Sequence, residues 1–342
     1  MTVTKRKPAV PPMAITGMLH AFWAIGALRA AVELDVFGPL ADGAKTAEQV
    51  AQQIGAHSRG VELLLDALVG LELVSRHEGR YRLTDASELY LVPSSPLFLG
   101  PYLSLTEELH QKWSSLPAVT KTGKPTAEVN LQQSAEEFFP ELASTLFATN
   151  YATAQMVADA LALDELPVGA RVLDVAAGSG VWSIALAEAH RGFKLDMLDF
   201  PAVLEVARKF SDKYGVADRC RYLAGNWREV PLDHESYDIV VLGHILHSEG
   251  LSASTELLAK CHKSMKKGGL LVIAEFMPND DRTAPALPLL FALNMYLLTT
   301  AGCVFTPGEL ESMLQATGFE ETYRLELPYY GKESPILVAT RK

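Results

Sequence analysis

From Gly169 onward the chain alternates short apolar runs with helical patterns. Strand-like runs stand at "RVLDVA" (171–176), "KLDMLDF" (194–200), "RCRYLAG" (219–225), "YDIVVLGHI" (237–245) and "LLVIAEF" (270–276), with helical spacing between them. Strands separated by helices can only lie side by side through crossovers, so this order predicts an α/β domain. Its sheet is mostly parallel and doubly wound, with helices on both faces. Ligands of such sheets sit beyond the carboxyl ends of the strands.

The first strand runs into Asp174-Val-Ala-Ala-Gly-Ser-Gly180 before the next helix begins. Residues this small let a ligand approach the backbone and the unpaired N–H groups of the helix behind it. A dinucleotide site wants a third glycine opening that helix, and Val181-Trp182-Ser183 stands there instead. The Gly-Lys-Ser/Thr of a phosphate-gripping loop is also missing. Asp174, ending the strand, would repel a pyrophosphate but suits a cation. Asp199, ending the second strand, stands where a carboxylate accepts both hydroxyls of a ribose. A nucleoside with a positive charge and no phosphate describes S-adenosylmethionine.

The first third reads differently. "MAITGMLHAFWAIGALRAAVELDVFGPL" is an apolar helical stretch punctuated by Gly38-Pro39. "TAEQVAQQIG" is a short helix with Thr46 as N-cap and Gly55 as stop. "SRGVELLLDALVGLELV" is a third helix, followed by "VSRHEGRYRLT", two short strands about a His77-Glu78-Gly79 turn. Three helices and a hairpin make the winged-helix order. A DNA-reading helix carries exposed Arg and Lys, whereas this third helix offers Arg59 against Glu62, Asp66 and Glu72. A module for dimerisation and for covering substrate is the better reading.

Charge agrees. Among 342 residues, 41 acidic side chains face 30 basic ones, a net charge of −11, which speaks against a nucleic-acid partner. The one dense basic run is "TKRKP" at 4–8. Cys220, Cys261 and Cys303 form neither a metal-ligand pattern nor a disulfide framework, which fits a cytoplasmic protein. No apolar signal core with a cleavage site opens the chain. The window "LPLLFALNMYLLTTAGCVF" (287–305) is broken by Asn294 and "TTAG", so a buried helix is expected there rather than a membrane span. No metal is expected, because no His/Asp/Glu set has ligand spacing around the loop.

The segments "LDVAAGSG", "LDFPAVLEVA", "AGNW", "YDIVVLGHILHSEG", "KKGGLLVIAEFMP" and "FTPGELESMLQATGF" follow one another in order. With the N-terminal domain, they resemble the class I S-adenosylmethionine-dependent O-methyltransferases of the plant caffeate and flavonoid type. The resemblance covers nearly the whole chain. It implies a winged-helix dimerisation domain (1–95), a helical connector roofing the substrate pocket (96–165) and a Rossmann-like catalytic domain (166–342). It also implies a homodimer and a small hydroxylated acceptor. Asp174, Gly178 and Gly180 would frame the methionine half of the cofactor, Asp199 and Phe200 the ribose, and Asn226 and Trp227 the adenine. His247 would be the general base, since imidazole titrates near neutrality, and Glu275 would orient it. Phe147, Asn150, Tyr151, Met156, Phe291, Asn294, Met295 and Leu298 are the candidates for the acceptor pocket. Residues near His20 and Trp23 of a second copy would join them.

The departures from the family pattern bear on the acceptor. Ala176 replaces the first glycine of the loop. Val304 stands where relatives carry a second glutamate, Ser248 follows the histidine where they carry Asp, and Asn294 replaces an Asp. These changes remove charge from the acceptor side and favour a larger, more apolar acceptor than a simple catechol. They also leave open a relative that binds the cofactor without transferring methyl, such as a decarboxylase, hydroxylase or pericyclase.

Overall fold

A computed structural model describes residues 12–126, 132–328 and 334–342; the basic run at 4–8 lies outside them. The chain forms two compact units, Met1–Ser104 and Leu105–Lys342.

The first unit holds α1 (Met13–Glu33), α2 (Phe37–Ala41), α3 (Ala47–Ile54), α4 (Ser58–Gly70), the hairpin β1 (Val74–His77) and β2 (Arg80–Leu83), and α5 (Asp85–Tyr90). Thr46 caps α3 in a reciprocal box with Gln49, and Gly55 ends it at φ 67°. That is the arrangement the residue types dictate. Phe37, Leu40, Leu65, Leu68 and Tyr81 are fully or almost fully buried in this unit's core. On α4, Glu62 and Asp66 pair with Arg76 of β1 at 3.9 and 2.8 Å, so the helix presents acid toward the hairpin. The apolar α1 is the exception to good burial, since Met13, Met18, Leu19, Phe22 and Trp23 all lie exposed. By length and composition, Ile15–Glu33 within α1 is the one stretch of the described residues apolar enough to cross a membrane.

The next helix, α6 (Gly100–Trp113), straddles the division. The second unit continues through α7 (Leu116–Thr122) and α8 (Gln132–Ala160) to β3 (Arg171–Val175), α9 (Val181–Ala189), β4 (Lys194–Asp199), α10 (Pro201–Lys213), β5 (Cys220–Ala224), β6 (Tyr237–Gly243), α11 (Leu246–Ser264), β7 (Met265–Ala274), α12 (Ala286–Leu298), α13 (Pro307–Ala316), β8 (Phe319–Leu325) and β9 (Ile336–Arg341). The seven strands lie in the order β5-β4-β3-β6-β7-β9-β8. The first five are parallel, and β9 runs antiparallel to β7 and β8. Those five are the strands read from the sequence. Of the antiparallel pair, "FEETYRL" is too polar to read as a strand, a composition that suits an edge, while the apolar "ILVATR", paired between β7 and β8, was passed over. With β4 and β6 flanking β3, the crevice opens above their carboxyl ends.

The expected buried helix at 287–305 is shorter and half-covered. It ends at Leu298, and its 13 residues fall well short of the ~20 a span requires. Met295, Leu297 and Leu298 are buried, and the last two pack with Val119, while Leu287 and Leu290 stay exposed.

Candidate active site

The small-residue loop leaves β3 in a left-handed path: Ala176, Gly178 and Gly180 have φ of 56°, 57° and 74°. Glycine takes this conformation freely, whereas Ala176 holds it at a cost of about 1 kcal/mol. A methyl group at Gly180 would stand 3.0 Å from Met197, and one at Gly178 would meet Ala143 of α8 at 3.6 Å. The loop is therefore held closely on two sides.

Two carboxylates bracket it. Asp174 is buried; its Oδ2 accepts from the Ser183 hydroxyl at 2.7 Å, while Oδ1 is buried without a hydrogen-bond partner. Burial pushes its pKa up to about 7, against the lowering bonds from Ser183 and with help from the charge of Asp199. Asp199 accepts from Gly178 N–H at 2.8 Å and from Phe200 N–H at 2.7 Å. Burial raises it to about 6 in spite of those two bonds. Phe200, the N-cap of α10, is thereby fixed beside it.

The loop after β5 forms the third wall. Asn226 Oδ1 accepts from Arg228 N–H at 3.0 Å, so one of its two lone pairs is committed to shaping the turn. Trp227 is buried with its indole N–H unpartnered, and the Arg228 guanidinium stacks over its ring at 4.4 Å. Arg228 in turn pairs with Glu249 of α11, and Lys260, beyond the kink at Gly250 in that element, donates to the carbonyls of Trp227 and Val230. This wall is tied directly to the helix that carries His247.

His247 and Glu275 come together as a pair. The His247 ring donates from Nδ1 to Glu275 Oε2 at 2.8 Å, and its backbone N–H donates to Oε1 at 3.1 Å. Burial alone would raise Glu275, but the charge and bonds of His247, with His244 nearby, hold it below the usual carboxylate range. Glu275 is therefore an anion, and its bond to Nδ1 leaves the other ring nitrogen of His247, Nε2, outside the pair. The His247 carbonyl accepts from Cys303 N–H at 2.7 Å. That approach of 301–303 needs Gly250, whose φ is 75° and whose added Cβ would lie 2.4 Å from the Ala301 carbonyl oxygen.

Aromatic rings enclose the pair. Phe291 meets His247 edge-on at 4.8 Å and lies 4.4 Å from Phe276. Trp182 covers the end of β6, with its Nε1 2.2 Å from where a Cβ on Gly243 would stand. Sequence reasoning missed Trp182 and Phe276, whose apolar character is no different from that of core residues. It likewise gave His244 no role, with nothing to separate it from the start of the following helix. The residue instead precedes α11 in a left-handed conformation, φ 64°, with Nδ1 buried and unpartnered. Burial pushes its pKa down to about 4.

The remaining pocket candidates have other partners. Phe147 is buried in a ring stack with Phe210 at 4.1 Å, Tyr151 at 5.1 Å and Tyr214 at 5.0 Å. The Tyr151 hydroxyl donates to Glu188 at 2.9 Å. The reason is helical period: Ala143, Phe147 and Tyr151 share a stripe of α8 that packs on α9 and α10, with Ala143 at the loop. Asn150 bonds back to the Leu146 carbonyl, and Met156 is half-buried further along α8. Asn294 accepts from Trp113 Nε1–H at 3.0 Å. Met295 and Leu298 are packed inward. His20 and Trp23 stack on each other at 4.2 Å within α1.

Comparison with known proteins follows the same outline. The family profile of the O-methyltransferase dimerisation domain matches residues 16–93, and that of the O-methyltransferase domain matches residues 131–320. The chain is 30% identical over 315 residues to 3-hydroxy-5-methyl-1-naphthoate 3-O-methyltransferase of Streptomyces sahachiroi, covering 91% of this chain and 90% of that protein. It is also 30% identical over 321 residues to the tetracenomycin polyketide synthesis 8-O-methyl transferase TcmO of Streptomyces glaucescens, covering 91% and 92%. The fold superposes on human N-acetylserotonin methyltransferase, solved in complex with S-adenosylmethionine, with a TM-score of 0.80 at 24% identity over 99% of both chains.

Proposed function

The chain belongs to the O-methyltransferase family that carries an N-terminal dimerisation domain. From that premise we propose that it moves a methyl group from S-adenosylmethionine to a phenolic hydroxyl of a fused-ring, polyketide-type aromatic, with His247 as general base. The observation that carries the proposal is the His247–Glu275 pair. The carboxylate occupies Nδ1, so Nε2 is the ring atom open to a proton, and aromatic rings suited to a flat acceptor stand around it. The names of the two Streptomyces relatives, a naphthoate and a tetracenomycin enzyme, support a fused-ring acceptor.

The cofactor fits the residues present. Asp174 Oδ1 is buried and unpartnered, a costly state that a cationic or N–H-bearing ligand relieves. Asp199 retains lone pairs for the ribose hydroxyls, and the left-handed loop gives close access to its backbone. Bound there, S-adenosylmethionine supplies a methyl group activated by its sulfonium. What remains for the protein is alignment and proton removal. Phe276 and Phe291 hold the acceptor plane, His247 Nε2 takes the hydroxyl proton, and Glu275 stabilises the imidazolium that results.

The test is incubation of the protein with S-adenosylmethionine and hydroxynaphthoate or hydroxylated tetracyclic acceptors. The expected products are S-adenosylhomocysteine and an equal amount of acceptor one CH2 heavier. Binding of the cofactor with no conversion across that set would favour a non-methylating relative instead.

The exposed side chains of α1 support a homodimer, because the dimerisation-domain match takes in this helix from residue 16 on and a patch of this kind marks an interface. Sedimentation equilibrium is expected to give twice the chain mass, falling toward the monomer in a Phe22→Asp/Trp23→Asp double variant. A monomeric wild type would sink the homodimer.

A further inference from the structure

Methyl transfer as proposed uses His247 and Glu275 and leaves His244 idle, although the fold spends strain to hold it there. Its backbone is left-handed, with φ 64°, and is fixed by a bond from its N–H to the Ala274 carbonyl at 2.9 Å. Its buried Nδ1 has no hydrogen-bond partner. His244, His247 and Glu275 each bring one donor atom into a group whose members all lie within 4.8 Å of one another. The His244 and His247 ring centroids are 6.2 Å apart.

We propose that these three side chains form a binding site for a divalent transition-metal ion of the zinc type, and that filling it switches the enzyme off. Two imidazoles and one carboxylate suit zinc, cobalt or nickel rather than the all-oxygen shell of magnesium or calcium. Donors about 2.1 Å from one ion lie at most about 4 Å apart, so a side-chain shift of about an ångström closes the set. The ion takes the place now held by the hydrogen bond between His247 Nδ1 and Glu275 Oε2. The ring proton of His247 then moves from Nδ1 to Nε2, no proton is released, and the atom that receives the acceptor's proton is already protonated. An open fourth position remains for water. The inhibition rests on His247 being the base; the binding does not.

The experiment uses the untagged full chain and zinc chloride, by calorimetric titration without cofactor or acceptor, in the wild type, His244→Asn and Glu275→Gln. Asparagine tolerates the left-handed backbone, and thermal melts report whether both variants fold. The wild type is expected to bind one zinc ion per chain, and each variant to bind it about tenfold or more weakly. Cobalt should give the visible absorption of a nitrogen- and oxygen-bound ion in the wild type only. Turnover of the wild type should fall over the same zinc range in which binding is seen. Equal zinc affinity in folded His244→Asn would overturn the site. Variant-sensitive binding with full turnover at saturating zinc would keep the site and overturn both the switch and the base assignment. Activation by zinc would likewise overturn both the switch and the base assignment.

Discussion

Replacing His247 with glutamine is expected to slow methyl transfer by about 10²- to 10⁴-fold at neutral pH, the usual worth of a positioned general base. Cofactor affinity should be unchanged, because the carboxylates and loop that surround the proposed cofactor site are separate side chains. Glutamine can still donate to Glu275, so the fold around 275 keeps its bond, but an amide cannot take a proton. The pH profile separates loss of the base from a general disturbance. A phenol with pKa near ~10 gives up its own proton as pH rises, so the variant's rate should climb about tenfold per pH unit toward that value. The wild-type rate, with a base in place, should rise less steeply over the same range. Steady-state rates from pH 6 to 10 make the measurement. A variant within about tenfold of wild type at pH 7 would mean that another group removes the proton.

The sequence carried the parallel part of the sheet because a strand buried on both faces must be apolar along its length, as "YDIVVLG" is. The positions of Asp174, Asp199, His247 and Glu275 were legible for a related reason: each lies at the end of a strand or the start of the helix after one, the edge at which such sheets take ligands. What stayed hidden depends on which face of a helix finds a partner. Phe147 and Tyr151 read as pocket residues, yet Phe210 and Tyr214 of another segment claim them. Asn294 reads as a polar group for the acceptor, and Trp113 takes its oxygen. The left-handed turn at His244 has no local signature, since histidine enters that conformation only when its surroundings fix it. Trp182 gained its place from Gly243, a pairing across two elements that no spacing along the chain reveals.

Asp199→Ala is expected to weaken S-adenosylmethionine binding by about a hundredfold or more. Two hydrogen bonds from a ribose diol to a charged acceptor contribute about 1.5–3 kcal/mol each. The pH dependence of binding carries an independent signature. Burial raises Asp199 to about 6 and Asp174 to about 7, above the ~3.9 of an exposed aspartate. Both groups therefore hold protons more tightly in the folded chain than in the unfolded one. The stability this gives the ligand-free protein is present near pH 4 and is lost as pH rises through 6 and 7. Binding has the opposite preference, because ribose hydroxyls and a cationic ligand favour the ionised carboxylates. Cofactor affinity in the wild type should therefore strengthen between pH 5 and 7.5, across the window in which the two groups titrate. In Asp199→Ala the rise should shrink and move to lower pH, since only Asp174 remains and it has lost the neighbouring charge that helped to raise it. Calorimetric titrations of both proteins over that range make the comparison. An affinity indifferent to pH, together with an unaffected variant, would remove the ribose from Asp199 and the cofactor from this end of the sheet.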